Sequence, residues 1–356
     1  MGFPVIHLGA PFRLDALGLV SLVGALEVAT AIGALQRNWI TDYLPLLGSF
    51  LVAEDRLTTP LPGFTLYNAS DGFYVPVVSG WFSRWLIANL DKTAKGGTQF
   101  QWSVRRKRQH EGTILAAPAV LIGVVANGGL IAVAALQGDW YGVANATAMA
   151  VSALIRQAML DGKIRNLDKL VLADVKDVNT QLPEKVMGGD LVAVVITTPD
   201  GNAAVFRATR HIIRIIITDL DPAHVVLKAI GWVAFVVHVV CIGQCYLLSQ
   251  LLSIALLGTA TVLTIFHVGV DRTWAGGWLQ VRPLGSGGQS RRRDALHLLN
   301  LTDKEASVLR NYWQLPHLPE VVELQTVTAE FWKSWNEETD AKRHRATQTD
   351  GVEEGA

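Results

Sequence analysis

His238, Cys241 and Cys245 come nearest, by type and spacing, to a reactive site in this chain. On a helix turning ~100° per residue, offsets of three and seven place all three on one face. Imidazole and thiolate groups so arranged could hold a soft metal such as copper or zinc, although three ligands leave a tetrahedral site one short. The structural alternative is that the cysteines serve as small apolar residues where helices touch. Glu27 is the second notable group, because an ionisable side chain inside an apolar run is costly and by default a functional candidate with a partner. Glu27 and His238 would both lie ~12–14 Å from the same membrane surface by helix rise. They therefore form a candidate catalytic pair for intramembrane proton transfer. A protonated Glu27 bonded to a backbone carbonyl is the bland alternative.

Other chemistry is absent from the sequence. It holds no GxxxxGK[ST] phosphate loop, no HExxH metal motif and no GxSxG elbow. Gly285-Ser286-Gly287 resembles part of the last, but Leu284 stands at the first glycine position, and the stretch through Ser290 reads as a linker. No cofactor is expected. Asn127 and Ser152, on opposite arms of one helical hairpin, could form an interhelical hydrogen bond worth ~0.6 kcal/mol.

The elements that must position these residues are long apolar runs. Thr113–Leu136 and Trp140–Leu160 form one closely spaced pair; Ala229–Leu247 and Leu251–Val270 form another. Each is close to the ~20 residues that cross a ~30 Å hydrocarbon core. Leu14–Leu35 reads as a further, retained span, since it is longer than a signal peptide's apolar region and only Arg13 precedes it within the basic flank. Half of the 356 residues are hydrophobic, 17% are charged and the formal net charge is +0. Zero net charge gives no basic surface for nucleic acid, so no nucleic-acid partner is expected.

Lysine and arginine avoid the hairpin tips at 138–139 and 248–250 and crowd the other ends, at Arg105–Arg108 and Arg291–Arg293. Such residues are retained on the cytoplasmic side. Both hairpins should then enter from the cytosol, leaving the C-terminus cytosolic and Arg156 free to snorkel to that surface. Phe73–Leu90 is apolar but carries Arg84 near its middle, which favours an interfacial helix over a crossing one. The sequon Asn68-Ala69-Ser70 offers a test of sidedness.

The expected fold is therefore an all-α integral membrane protein with about five transmembrane helices. Residues 1–36 carry the first span and 37–112 form a soluble or interfacial cytosolic segment. Residues 113–160 are the first hairpin, 161–222 a cytosolic insert, and 223–270 the second hairpin. A cytosolic helical region fills 271–336, and a disordered tail 337–356. In the insert, Asp190–Thr197 and Ala203–Ala208 flank the turn Pro199-Asp200-Gly201-Asn202 and predict a β-hairpin, with His211–Thr218 as a strand or helix. Thr302 and Glu305 fit a capping box, and Glu320–Trp335 carries an apolar stripe that could bind a protein partner. Small residues at Ser21, Ala25, Ala29 and Gly33, and at Ala119 and Gly123, predict close helix packing within one chain or a homo-oligomer. The functional expectation is a non-enzymatic membrane protein that positions or recruits a partner through its cytosolic segments. The alternatives are a membrane-embedded enzyme acting on an apolar, lipid-like substrate, and a transporter or channel component.

Overall fold

The computed structural model describes residues 25–90, 97–104, 109–173, 191–200, 203–220, 225–285, 299, 301–311, 333, 334 and 337. The chain is mostly helical, with one small sheet. Among the described residues, four helices are long and apolar enough to cross a membrane: α4 (Gln109–Leu136, over its part from Ala117), α5 (Trp140–Ala173), α7 (Val225–Ile242) and α8 (Leu247–Ile265). They fall on the two predicted hairpins, but the second turns at residues 243–246 where 248–250 was expected, and α5 runs on past Leu160 to Ala173. Apolar residues cover most of the circumference of α4 and α7, so Leu121, Val124 and Val125 of α4 and Val233, Val236 and Val240 of α7 face outward. Of Leu14–Leu35, only α1 (Ala25–Gly33) and the two residues after it are described. The rest of that expected span lies outside the described residues.

Between α1 and the sheet, residues 42–54 do something the sequence reading did not anticipate. They insert among the four long helices, ending in the short helix α2 (Ser49–Glu54). Leu47 packs on Leu130 of α4, Ala146 and Met149 of α5 and Leu257 of α8. At ~1.5 Å per residue, Ala146 and Leu130 lie ~9 Å from the tip ends of their helices. Leu44 and Leu46 pack on Val28 and Ala260. The segment leaves along α7, where Phe50 meets Phe235 edge-on at 6.5 Å. Residues 37–112 are therefore not simply a soluble or interfacial piece.

Four glycines on four helices make room for this insertion. A Cβ on Gly123 would come within 2.4 Å of Tyr43 Cβ, and one on Gly33 within 1.9 Å of the Leu57 carbonyl oxygen. Gly80 would meet the Thr58 oxygen at 1.8 Å, and Gly231 the Ala53 Cα at 3.2 Å. The small residues expected at Gly33 and Gly123 thus serve an approach of the inserted segment. Gly123→Val should destabilise the protein by ~1–3 kcal/mol through overpacking. Gly128→Ala, with nothing within 4 Å of the new Cβ, should be neutral or slightly stabilising. Thermal unfolding of the two variants in one detergent compares them directly; equal effects would refute the close approach.

The sheet is larger than the expected hairpin. Seven strands run in the order β2-β1-β4-β5-β3-β7-β6: β1 (Thr65–Asn68), β2 (Phe73–Val75), β3 (Gly97–Val104), β4 (Leu191–Thr197), β5 (Ala203–Thr209), β6 (Trp274–Ala275) and β7 (Leu279–Gly285). The β4–β5 pair is the predicted hairpin, antiparallel with Val194 opposite Phe206. Among the described residues, only β3 and β5 pair in parallel. One face carries α3 (Gly80–Asn89), α6 (Arg210–Ile217) and the lower half of α5, around Trp81, Phe82, Trp85, Trp102 and Phe206. The Trp85 and Trp102 rings lie 5.2 Å apart. The expected interfacial helix in Phe73–Leu90 is instead an edge strand followed by a core helix, because its aromatic face is covered by the sheet. His211–Thr218 resolves as helix, its isoleucines buried on that face.

The other face of the sheet, Ala193, Val195, Ala203 and Val205, is covered by Leu299, Leu301 and Leu309, the last on α9 (Asp303–Asn311). The capping box is present: Glu305 N–H donates to Thr302 Oγ1, and Thr302 N–H donates to Glu305 Oε2 at 2.9 Å. Glu305 also accepts from Ser70 Oγ and from Arg207 Nη2 at 3.1 Å, joining α9 to the turn after β1 and to strand β5. Burial opposes ionisation of Glu305, but the Ser70 hydroxyl, the Thr302 amide and the Arg207 guanidinium outweigh it and hold the carboxyl below its ordinary 4.5. A carboxyl depressed by folding contributes stability that is present above its unfolded value and lost as pH falls through the folded value. Acidification below about pH 4.5 should therefore loosen α9 before the aromatic core. Hydrogen exchange at 303–311 and at β4 would report the order, and simultaneous loss would contradict it.

Glu320–Trp335 falls almost wholly outside the described residues, as do the linker after Gly285 and most of the tail. The sequon is part of β1: Asn68 is buried, its side chain bonding Asp71 Oδ2 at 3.0 Å.

Candidate functional site

His238 lies inside the bundle on α7, where its Nδ1 is 2.7 Å from Asn145 Oδ1 of α5. The Asn145 amide nitrogen donates to Ser253 Oγ of α8 at 3.0 Å. With the Asn145 nitrogen so engaged, its oxygen is the acceptor, and His238 Nδ1 is assigned the proton. The three residues tie three helices together at one depth. Glu27 is exposed on α1 and forms no hydrogen bond or ion pair with His238. The structure thus gives His238 a neutral amide as partner where the sequence suggested a carboxylate.

The predicted face of His238, Cys241 and Cys245 needed a helix continuing through 245. Helix α7 ends at Ile242, and Cys245 Sγ turns back to donate to the Cys241 carbonyl at 3.1 Å. Among the described residues, no cluster of three or more His, Cys, Asp or Glu side chains is placed to hold a metal.

Larger in extent is the polar cage around the inserted segment. Residues 42–48 lack helical bonding, so their backbone groups need partners from elsewhere once buried. Arg156 of α5, only 3% exposed, donates through Nη2 to the carbonyls of Thr41 and Leu44 at 3.0 Å each and to that of Asp42. Gln157 donates to the Asp42 carbonyl as well. Asn127 of α4 donates to the Tyr43 carbonyl at 3.1 Å, and Leu47 N–H donates to Thr261 Oγ1 of α8 at 3.0 Å. Arg156 does not snorkel outward, because these three carbonyls hold it inside. Asn127 bonds the inserted segment rather than Ser152, which lines a narrow cavity beside Leu46–Ser49.

No family model, curated protein or solved structure matches this chain. Its chemistry must be read from its own side chains.

The segment's exit is held by a second set of charges. Asp55 has a left-handed backbone (φ 57) and a buried carboxylate, 2.9 Å from Lys163 Nζ of α5. Neither side chain of that pair is exposed. Lys163 also donates to Thr58 Oγ1 at 2.6 Å, and the half-exposed Lys228 of α7 lies 3.6 Å from the other Asp55 oxygen. Arg84 of α3 is buried without a carboxylate partner. It donates to the carbonyls of Thr59, Gly80 and Arg56, and burial lowers its guanidinium to about 10. A guanidinium gathering carbonyls is thus placed at each end of the insertion.

At the opposite end of the bundle, the two hairpin tips share one carboxylate. Asp139 Oδ1 accepts from Gly142 N–H at 2.8 Å, capping α5, and Oδ2 accepts from Tyr246 N–H at 2.8 Å, beside the start of α8. Sequence reasoning passed over Asp139, Asn145, Asp55 and Lys163. Asp139 had a readable signal, an aspartate directly ahead of a helix and behind Gly138. The other three had none, since the groups that engage them, Ser253 and His238 for Asn145, Lys163 for Asp55 and Thr58 for Lys163, lie about 100 residues away along the chain.

Proposed function

We propose that this chain is a multi-pass membrane protein without catalytic activity, whose sheet domain faces the cytosol and positions or recruits a protein partner. Membrane integration is supported by apolar outward faces combined with polar inward groups, the arrangement that hydrocarbon solvent imposes. Aromatic residues at both ends of the bundle fit the two interfaces, with Trp140, Tyr141 and Tyr246 at the tips and Trp39 and Phe266 at the base. The C-terminus lies on the cytosolic side in this reading, because lysine and arginine are absent from the tips.

The observation that carries a positioning role is the construction of the sheet. Its strands come from the three segments before, between and after the hairpins, and α5 runs from the bundle into the sheet's core. The domain is thereby held at a fixed attitude to the bilayer. Its open edge strand β2 presents Phe73 and Tyr74 to solvent, with Tyr74 stacked on Tyr67 at 6.3 Å. A photoreactive residue at position 74, used in native membranes, should give a discrete adduct that Phe73→Ser removes. Absence of any adduct there, and equally along Glu320–Trp335, would sink the recruiting role. Extraction by alkaline carbonate alone would sink the membrane one.

A second reading, a transporter or channel component, is favoured by one observation. Non-helical backbone at membrane depth, as residues 42–48 would be, is tolerated where it is caged by protein or lines a path. Reconstituted protein that passes no ion or small solute would exclude it. Proton transfer between Glu27 and His238 draws no comparable support from their positions.

A further inference from the structure

The bundle carries its own measure of the bilayer it fits. At the tips, Trp140 and Tyr141 of α5 and Tyr246 ahead of α8 are exposed; at the base, Trp39 and Phe266 are. Such rings settle at the headgroup level, so the hydrocarbon lies between the two sets. Tyr246 and Phe266 cap the 19-residue helix α8 at its two ends, and so stand ~30 Å apart along its axis. Helix α5 gives the same figure. From Tyr141 it runs unbroken to Asp161, again ~30 Å, and Asp161 pairs with Arg37, both side chains being partly exposed. Charges open to their surroundings belong with water or headgroups, so this pair marks the far boundary.

On α7 the apolar length is shorter. Lys228 is partly exposed, and its ammonium lies 3.6 Å from Asp55, whose carboxylate is fully buried against Lys163. A lysine tethered in this way is not free to reach for the surface as lysines near helix ends do. Only ~21 Å of helix separates Lys228 from Ile242, the tip end of α7. Trp232, one turn further in, is exposed as well, which fits an interface drawn down on this side. Tilt shortens each of these spans across the bilayer and lengthens none. At the ~20° common among membrane helices, ~30 Å becomes ~28 Å.

We propose that the surface the bundle is built to fit is a thin bilayer, with ~21–28 Å of hydrocarbon, thinnest beside α7, where Lys228 and Trp232 draw headgroups inward. This rests on the reading that the chain crosses a membrane, and adds which kind of membrane suits it. A hydrocarbon core of ~32–33 Å, as in sterol-rich bilayers, would cover the Arg37–Asp161 pair and the exposed part of Lys228. Tilting, the remedy for a helix that is too long, makes one that is too short fit worse.

The test uses the full chain in liposomes of phosphatidylcholine with matched monounsaturated chains, from about 14 to about 22 carbons. Flotation first reports insertion: failure to float with any of these vesicles would end the membrane reading, and this inference with it. For protein that floats, quenching of tryptophan fluorescence by competing brominated phospholipids gives the relative affinity for each chain length. Trp39, Trp140 and Trp232 are exposed on the bundle and make the signal readable. Affinity should peak at about 16–18 carbons and fall roughly threefold or more by about 22. Lys228→Leu should move the peak to longer chains, whereas Lys228→Arg should leave it in place. A flat profile, or a peak at the longest chains, would overturn the inference and leave membrane integration standing. An unmoved peak in a folded Lys228→Leu would overturn the thinning beside α7. If that variant does not fold, the profile of the parent decides alone.

Discussion

Arg156→Met should cost ~3–5 kcal/mol, a large part of the ~5–15 kcal/mol that holds a typical protein folded. Methionine fills a similar length but donates nothing, so the Thr41, Asp42 and Leu44 carbonyls lose their shared donor in a buried site. Each unsatisfied buried acceptor costs ~1–3 kcal/mol, reduced where the backbone can relax or Gln157 can compensate. Arg156→Lys keeps a charged donor nitrogen, but its ammonium sits on a shorter stem than the Nη2 that reaches all three oxygens, and it should fall between. The measurement is denaturation in a mild detergent, alongside the yield of monodisperse protein. If Arg156→Met were as stable as the parent, the caging of residues 42–48 by this side chain would be refuted.

The buried ion cluster gives the second large effect, and its charge arithmetic makes the effect asymmetric. Removing one partner of a buried pair costs ~3–5 kcal/mol, because the other is left uncompensated. Lys163→Met leaves Asp55 with Lys228, 3.6 Å away and partly solvated. Asp55→Asn removes the carboxylate that both the fully buried Lys163 ammonium and Lys228 approach, at 2.9 and 3.6 Å. Asp55→Asn should therefore be the more damaging single change. The double variant Asp55→Asn, Lys163→Met should recover most of the loss, since a buried pair replaced as a unit is often neutral. A double variant no better than the sum of its singles would show that the two residues act separately.

What could be read in advance followed from length and locality. The four long helices were legible because ~20 apolar residues in a row have few other uses. The β4–β5 hairpin was legible because its turn residues are contiguous, and the α9 cap because Thr302 and Glu305 are three apart. The inserted segment was not. Leu44–Ala53 is a short, mainly apolar run, half the length of a span, and reads equally well as a piece of core. The groups that hold it, Asn127, Arg156 and Thr261, are scattered over three helices; Asn127 and Arg156 stand out by type, but nothing local ties them to residues 42–48.

The full sheet escaped for a related reason. Val192, Val194 and Ile196 face the aromatic core while Ala193 and Val195 face α9. A strand buried on both sides loses the alternation that identifies half-buried strands. Strands β1 and β2 are four and three residues long, too short for any period. For the candidate site, His238 could be picked out by its type, but its partner Asn145 could not. An asparagine 93 residues away announces itself only when the helices are packed.

The wide separation of paired strands sets a timetable for biosynthesis. Strand β3, complete at Val104, finds its neighbour β7 only after Gly285 has been made, and Leu47 waits for Thr261. A ribosome must deliver both greasy hairpins before β3 can close its second edge. Nascent chains halted in the second hairpin would carry unpaired β-edges and an unhoused loop, a ready target for chaperones and quality-control proteases.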